Sequence, residues 1–125
     1  MAAEAALVAN RLQEAKESNI IELDLSDNNL SEFPEEMSEL TFLQTLDISR
    51  NQFTCLPDIV YQYSNLKRLK IDHNHIADID VERLLQMPSL QEFDLRGNPL
   101  TPEVACRLQE LKIKVLLDRF GEGDT

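Results

Sequence analysis

Four stretches of this chain superpose at a near-constant interval, and that periodicity limits its fold more than any other feature. IIELDLSDNNLSEFP, LQTLDISRNQFTCLP, LKRLKIDHNHIADID and LQEFDLRGNPLTPE begin at residues 20, 43, 66 and 90. Each obeys L-x-x-L-x-L-x-x-N-x-L. Slot one holds Ile20, Leu43, Leu66 and Leu90, and slot four Leu23, Leu46, Leu69 and Phe93. Slot six holds Leu25, Ile48, Ile71 and Leu95, and slot eleven Leu30, Phe53, Ile76 and Leu100. With 42% hydrophobic composition, this agreement has odds of about one in a million by chance. Slot nine adds Asn28, Asn51, Asn74 and Asn98.

Slots four and six lie two residues apart, so on an extended strand they share a buried face while slots three, five and seven face out. Successive strands then stack in parallel, and the segments that return the chain cover the other side. Those segments bury slots eighteen and twenty-one, filled in the first two repeats by Met37, Leu40, Val60 and Tyr63. Asparagine in slot nine sits where the chain leaves the strand. It is a buried polar group that is tolerated because its amide satisfies turn backbone that no strand reaches.

The pattern resembles the leucine-rich repeat family, over most of the chain. Phe33-Pro34 and Leu56-Pro57 are similar to the apolar-proline pair of its cytoplasmic, plant-intracellular-like branch, from which the third repeat departs with Ile79-Asp80. The resemblance implies an α/β right-handed solenoid: a short curved parallel sheet on the concave side, helices and turns on the convex side. It also implies a protein-binding role. The expected organisation is a single domain of residues 1–125. Residues 1–19 form a capping helix, 20–42, 43–65, 66–89 and 90–101 are the repeats, 102–120 form a C-terminal cap, and 121–125 are a frayed tail.

A stack of repeats needs covered ends. Residues 1–18 are Ala-rich and helix-favouring, with Leu7, Val8, Leu12 and Ala15 on one stripe, and lack the basic opening and long apolar run of a signal peptide. Thr101-Pro102-Glu103 reads as a helix start, followed by Val104, Leu108 and Leu111 at helical spacing. Beyond it, alternating Ile113, Val115 and Leu117 suggest a last extended segment.

The run IDHNHIADID concentrates metal-type ligands, but the repeat frame absorbs it. As an EF-hand loop starting at Asp72 it would place Ala77 at the obligatory glycine and Arg83 at the bidentate acid. His73 and His75 have no third His or Cys nearby. In the frame, Ile71 and Ile76 are core and Asn74 is framework. Asp80 is the expected N-cap of a short helix with Val81, Leu84 and Leu85 on its apolar face, and the two histidines are surface loop residues. No metal and no cofactor is expected.

The chain carries 23 acidic and 12 basic residues, a net charge of −11, which argues against nucleic acid and acidic membrane surfaces as partners. Residues 1–50 hold 11 of the acids and 3 of the bases. No apolar run approaches the roughly 18 residues of a membrane span, and Cys55 and Cys106 do not flank the repeats as capping cysteines. A cytoplasmic or nuclear monomer with reduced thiols is the expectation. No phosphate loop, nucleophile elbow or Cys-His pair supports catalysis, so the chain is not expected to be an enzyme.

Three functional classes fit: a protein-interaction module acting as adaptor or regulatory subunit, a structural or chaperone-like subunit, and an acidic nuclear histone-binding or phosphatase-inhibiting type. The last resembles this architecture but typically adds a long acidic tail, and this chain ends in FGEGDT. The outward slots three, five and seven carry an acidic column of Asp24, Asp47 and Asp94 interrupted by Lys70. The candidate partner-binding residues are accordingly Asp24, Asp47, Arg68, Lys70, Asp94 and Arg96, facing a basic or mixed-charge protein.

Overall fold

Each repeat enters its strand at slot three and leaves it at slot five. A computed structural model describes residues 2–33 and 35–117, with the side chains of 2–8 and 36 excepted. Pro34, the side chains of Leu7 and Val8, and the tail of residues 121–125 lie outside the described residues. The strands are β1 (Glu22–Asp24), β2 (Thr45–Asp47), β3 (Arg68–Lys70), β4 (Glu92–Asp94) and β5 (Lys114–Leu116), forming one parallel sheet in chain order. Equivalent slots pair across the sheet. Leu23 aligns with Leu46, Leu69, Phe93 and then Val115. The extended segment at 113–117 is therefore a fifth strand on the same ladder.

Between strands the chain returns through a 3-10 helix at Glu35–Glu39, then α2 (Asp58–Tyr61), α3 (Val81–Leu85) and α4 (Pro102–Gln109). Slots four and six are buried in all four repeats, as are Met37, Leu40, Val60 and Tyr63 from the returns. Ile20 and Leu30, at the first repeat's outer boundary, are only half-buried. The Tyr63 hydroxyl donates to the Met37 carbonyl at 2.7 Å, which satisfies a phenol that burial pushes well above its usual pKa. The short helices start where side chains cap them. Asp80 accepts from the Arg83 amide at 3.2 Å and Thr101 from the Val104 amide at 3.3 Å, with Pro102 in the first turn.

Helix α1 (Ala2–Ser18) lies against the first repeat, touching the 3-10 helix at Glu35–Glu39. Leu12 and Ala15 are 2% and 0% exposed, the Ile20 amide donates to the Ala15 carbonyl, and the Arg11 guanidinium donates to the Asp24 carbonyl at 3.0 Å. One residue expected in the core is not there: Leu85 is 62% exposed. Helix α3 is only five residues long, so Val81 and Leu84 fill the interior. Leu85, one step further round, opens onto an apolar groove of about 350 Å³ shared with Met87, Leu90, Leu111 and Ile113.

Candidate binding face

Two parallel registers build the concave surface. Slot three aligns Glu22, Thr45, Arg68, Glu92 and Lys114, and slot five aligns Asp24, Asp47, Lys70, Asp94 and Leu116. Lys70 thus stands between Asp47 and Asp94, within about 4.8 Å of strand spacing on either side.

The slot-five acids do not project freely. In the first two repeats the aspartate ends its strand by accepting from the serine two residues on, as Asx turns do. Asp24 accepts from the Ser26 amide at 2.9 Å and hydroxyl at 2.6 Å, and Asp47 from the Ser49 amide at 3.0 Å and hydroxyl at 2.6 Å. In the fourth repeat Arg96 folds back over Asp94, donating Nε at 3.1 Å and Nη2 at 2.8 Å, with its amide at 3.2 Å. Asp94 is consequently 2% exposed. This corrects its assignment as a surface contact: the oxygens a partner would meet are already bonded. The Asp-x-Ser and Asp-x-Arg spacing at strand ends was the signal for this in the sequence.

Burial raises the pKa of both Asp24 and Asp94, yet each ends below the ordinary aspartate value. Hydrogen bonds from Ser26, with the charges of Arg11 and Arg50, outweigh burial at Asp24. Hydrogen bonds and charge from Arg96, with Lys70, outweigh it at Asp94.

The third repeat inverts the motif. Lys70 takes the place of the capping aspartate and Asp72 that of the capping serine. Asp72 is buried, with Oδ2 2.8 Å from His73 Nδ1, while its Oδ1 meets no protein donor. Outward from these carboxylates lie the cations. The side chains of Arg68 and Arg96 are 66% and 53% exposed, and Lys70 and Lys114 are also exposed. Among the described residues neither lysine ammonium forms an ion pair or hydrogen bond. Arg68 reaches Glu92 at 4.0 Å.

Beside the sheet, slot eight turns every repeat through the left-handed region, with φ of 60° at Asp27, 55° at Arg50, 58° at His73 and 77° at Gly97. Arg50 Nε pairs with Asp27 at 2.9 Å, and the His73 ring lies over Gly97. His73 and His75 are both exposed. Among the described residues no group of three or more His, Cys, Asp or Glu is placed to hold a metal, and no helix is long and apolar enough to cross a membrane.

Behind the slot-eight turns, the slot-nine asparagines tie the repeats together. Asn51 Oδ1 accepts from the amides of Asn28 and Leu30, and its Nδ2 is shared among the carbonyls of Leu25, Ile48 and Ser49. Asn74 and Asn98 repeat the arrangement one and two repeats on. Asn28, with no repeat before it, donates to Leu25 and Ser26 of its own turn.

A family model described as a leucine-rich repeat region matches residues 21–122. The chain belongs to the leucine-rich repeat family. An uncharacterised leucine-rich repeat-containing protein of Schizosaccharomyces pombe is 33% identical over 90 residues, 71% of this chain and 14% of that protein. Ras guanine nucleotide exchange factor V of Dictyostelium discoideum is 33% identical over 111 residues, 77% of this chain and 5% of that protein. The chain therefore corresponds to a small part of these curated relatives. Among solved structures, a leucine-rich repeat protein of Leptospira interrogans superposes with a TM-score of 0.71 at 28% identity, covering 86% of this chain and 27% of that one. The leucine-rich repeat domain of a Shigella effector gives 0.64 at 28% identity, covering 78% and 40%. Leucine-rich repeat domains commonly mediate protein–protein interaction.

Proposed function

We propose that this chain is a non-enzymatic protein-interaction module, an adaptor or regulatory subunit that binds a protein partner through its concave face and the adjoining slot-eight loops. The observation that carries this reading is the division of labour among its polar groups. Asn28, Asn51, Asn74, Asn98 and Asp94 are buried and bonded within the framework, whereas Asp24, Arg68, Lys70 and Arg96 stand exposed in aligned rows on one side of a rigid sheet. Five strands span only about 19 Å at 4.8 Å each. That is too little for the roughly 800 Å² per partner of an ordinary stable interface, so Asp27, Arg50 and His73 on the rim belong to the surface we assign. A cytoplasmic monomer suits the two exposed free thiols, Cys55 and Cys106. Within the family, the N-terminal VANRLQEAKESN helix and the VERLLQMPSLQEFDLRGNPLTPEV run also resemble the small animal leucine-rich repeat-containing protein 20. We take small intracellular members as the nearest type.

The test is affinity capture from cytosol with three proteins: wild type, a concave-face Arg68→Glu/Lys70→Glu variant, and a convex Leu85→Asp variant. A stoichiometric partner held by wild type and Leu85→Asp but lost by the concave variant is the expected result. Equal capture by the concave variant would move the site elsewhere, and recovery of diverse unfolded clients by all three would favour a chaperone-like subunit.

A further inference from the structure

The concave face is not electrically uniform: its exposed charge is acidic along β1 and cationic along β3 to β5, the same direction in which the excess of acids declines along the chain. Along β1 and β2 the exposed charges are Glu22, Asp24 and, on the rim, the Asp27–Arg50 ion pair. Along β3 to β5 the carboxylates withdraw: the side chains of Asp72 and Asp94 are 8% and 3% exposed, and that of Glu92 is 36% exposed. What reaches solvent there is Arg68, Lys70, Arg96 and Lys114. Register brackets Glu92 between Arg68 and Lys114, so these cations lie within about two strand spacings, or 10 Å. At physiological ionic strength the Debye length is about 8 Å. The acids of β1 lie further from β4 and β5 than that, so they scarcely screen the cationic half but still repel an anion that strays toward them.

We propose that the C-terminal half of the concave face receives an acidic protein segment, with Lys70 and Lys114 as its principal anchors and Arg68 and Arg96 as flanking donors. This rests on the interaction-module reading and reverses the basic-partner expectation drawn from the Asp24, Asp47 and Asp94 column, in which one oxygen each of Asp24 and Asp47 is taken up by the serine two residues on and both oxygens of Asp94 by Arg96. Lys70 and Lys114 bring donors that no group among the described residues uses, and carboxylates spaced along an extended segment match that supply. Nucleic acid is the less suitable polyanion. Its affinity depends on neutralising many closely spaced phosphates, and here four cations are interleaved with the carboxylates of Asp72, Glu92 and Asp94 on a chain of net charge −11. The repulsive β1 edge makes binding directional, because an acidic segment is excluded from the N-terminal half.

The proposal is tested by fluorescence anisotropy with a labelled twelve-residue alternating Glu-Ser peptide, a Lys-Ser counterpart and a twelve-nucleotide oligo-dT. The proteins are wild type, Lys70→Glu/Lys114→Glu and Lys70→Gln/Lys114→Gln, all first checked for unchanged melting. The Glu-Ser peptide should bind wild type weakly and in a salt-dependent way, lose about tenfold with the neutral pair as two exposed ion pairs are removed, and lose more with the charge-reversed pair. Failure of the Glu-Ser peptide to bind, equal binding by the variants, or tighter binding of the Lys-Ser peptide or of oligo-dT would each overturn it. Loss of the captured partner by Arg68→Glu/Lys70→Glu alongside any of those results would leave the module reading standing and remove only the acidic partner.

Discussion

The side-chain oxygen of Asn51 accepts the backbone amide of Asn28, one repeat earlier, at 3.0 Å. Asn51 therefore belongs to two turns at once, and its amide hydrogens reach carbonyls on both sides of the repeat boundary. Asn28 serves only its own turn. Leaving a buried backbone group unpaired costs about 1–3 kcal/mol, so Asn51→Ala should lower stability by at least about 2 kcal/mol and Asn28→Ala by about half as much. Urea midpoints that coincide for the two variants would contradict the two-turn role.

His73 and Gly97 form a second coupled pair. A Cβ on Gly97 would fall 2.6 Å from His73 Cδ2, and the backbone there has φ of 77°. Gly97→Ala should cost about 1–2 kcal/mol for a left-handed alanine plus displacement of the ring. In a His73→Ala background only the backbone part should remain, giving a coupling of about 0.5 kcal/mol or more in the double-mutant cycle. Additive losses would show that the ring moves aside without cost.

Acid sensitivity should trace to Asp94. Its folded pKa lies below the ordinary value, so the folded state binds fewer protons near pH 4 than the unfolded chain. That stabilisation is complete above the unfolded pKa of about 3.9 and is lost as pH falls through the folded one. With Arg96→Ala, burial acts unopposed by that guanidinium. The variant should be less stable than wild type at pH 7, with the gap narrowing below pH 4. A gap independent of pH, followed by thermal unfolding, would remove Asp94 from the account.

Helix α1 should behave as a cap. Leu12 is 2% exposed, so Leu12→Ala should cost about 2–3 kcal/mol, in the lower part of the range for buried leucines. Deleting residues 2–18 should uncover Leu23 and Leu25 and give aggregation or a broadened transition. A soluble truncation that melts as sharply as the full chain would show that α1 only tethers.

The sequence alone determined what repeats. Slots one, four, six and eleven, the asparagine column, the Asp80 and Thr101 caps and the strand positions are each set by local spacing, because a strand alternates faces every residue and a repeat must present the same face to each neighbour. Only the tertiary structure decided which polar side chains remain available on the outward slots. Asp24, Asp47, Lys70 and Asp94 occupy one column in the sequence. Whether a carboxylate is exposed depends on a neighbour reaching back over it, as Arg96 does at Asp94, and on whether serine or aspartate stands two residues further on, as at Asp47 and Lys70. Leu85 obeyed helical periodicity and still faces solvent, because a five-residue helix ends before the next layer can cover it. Periodicity encodes direction from the backbone, whereas exposure is set by side chains that meet only once the repeats are stacked.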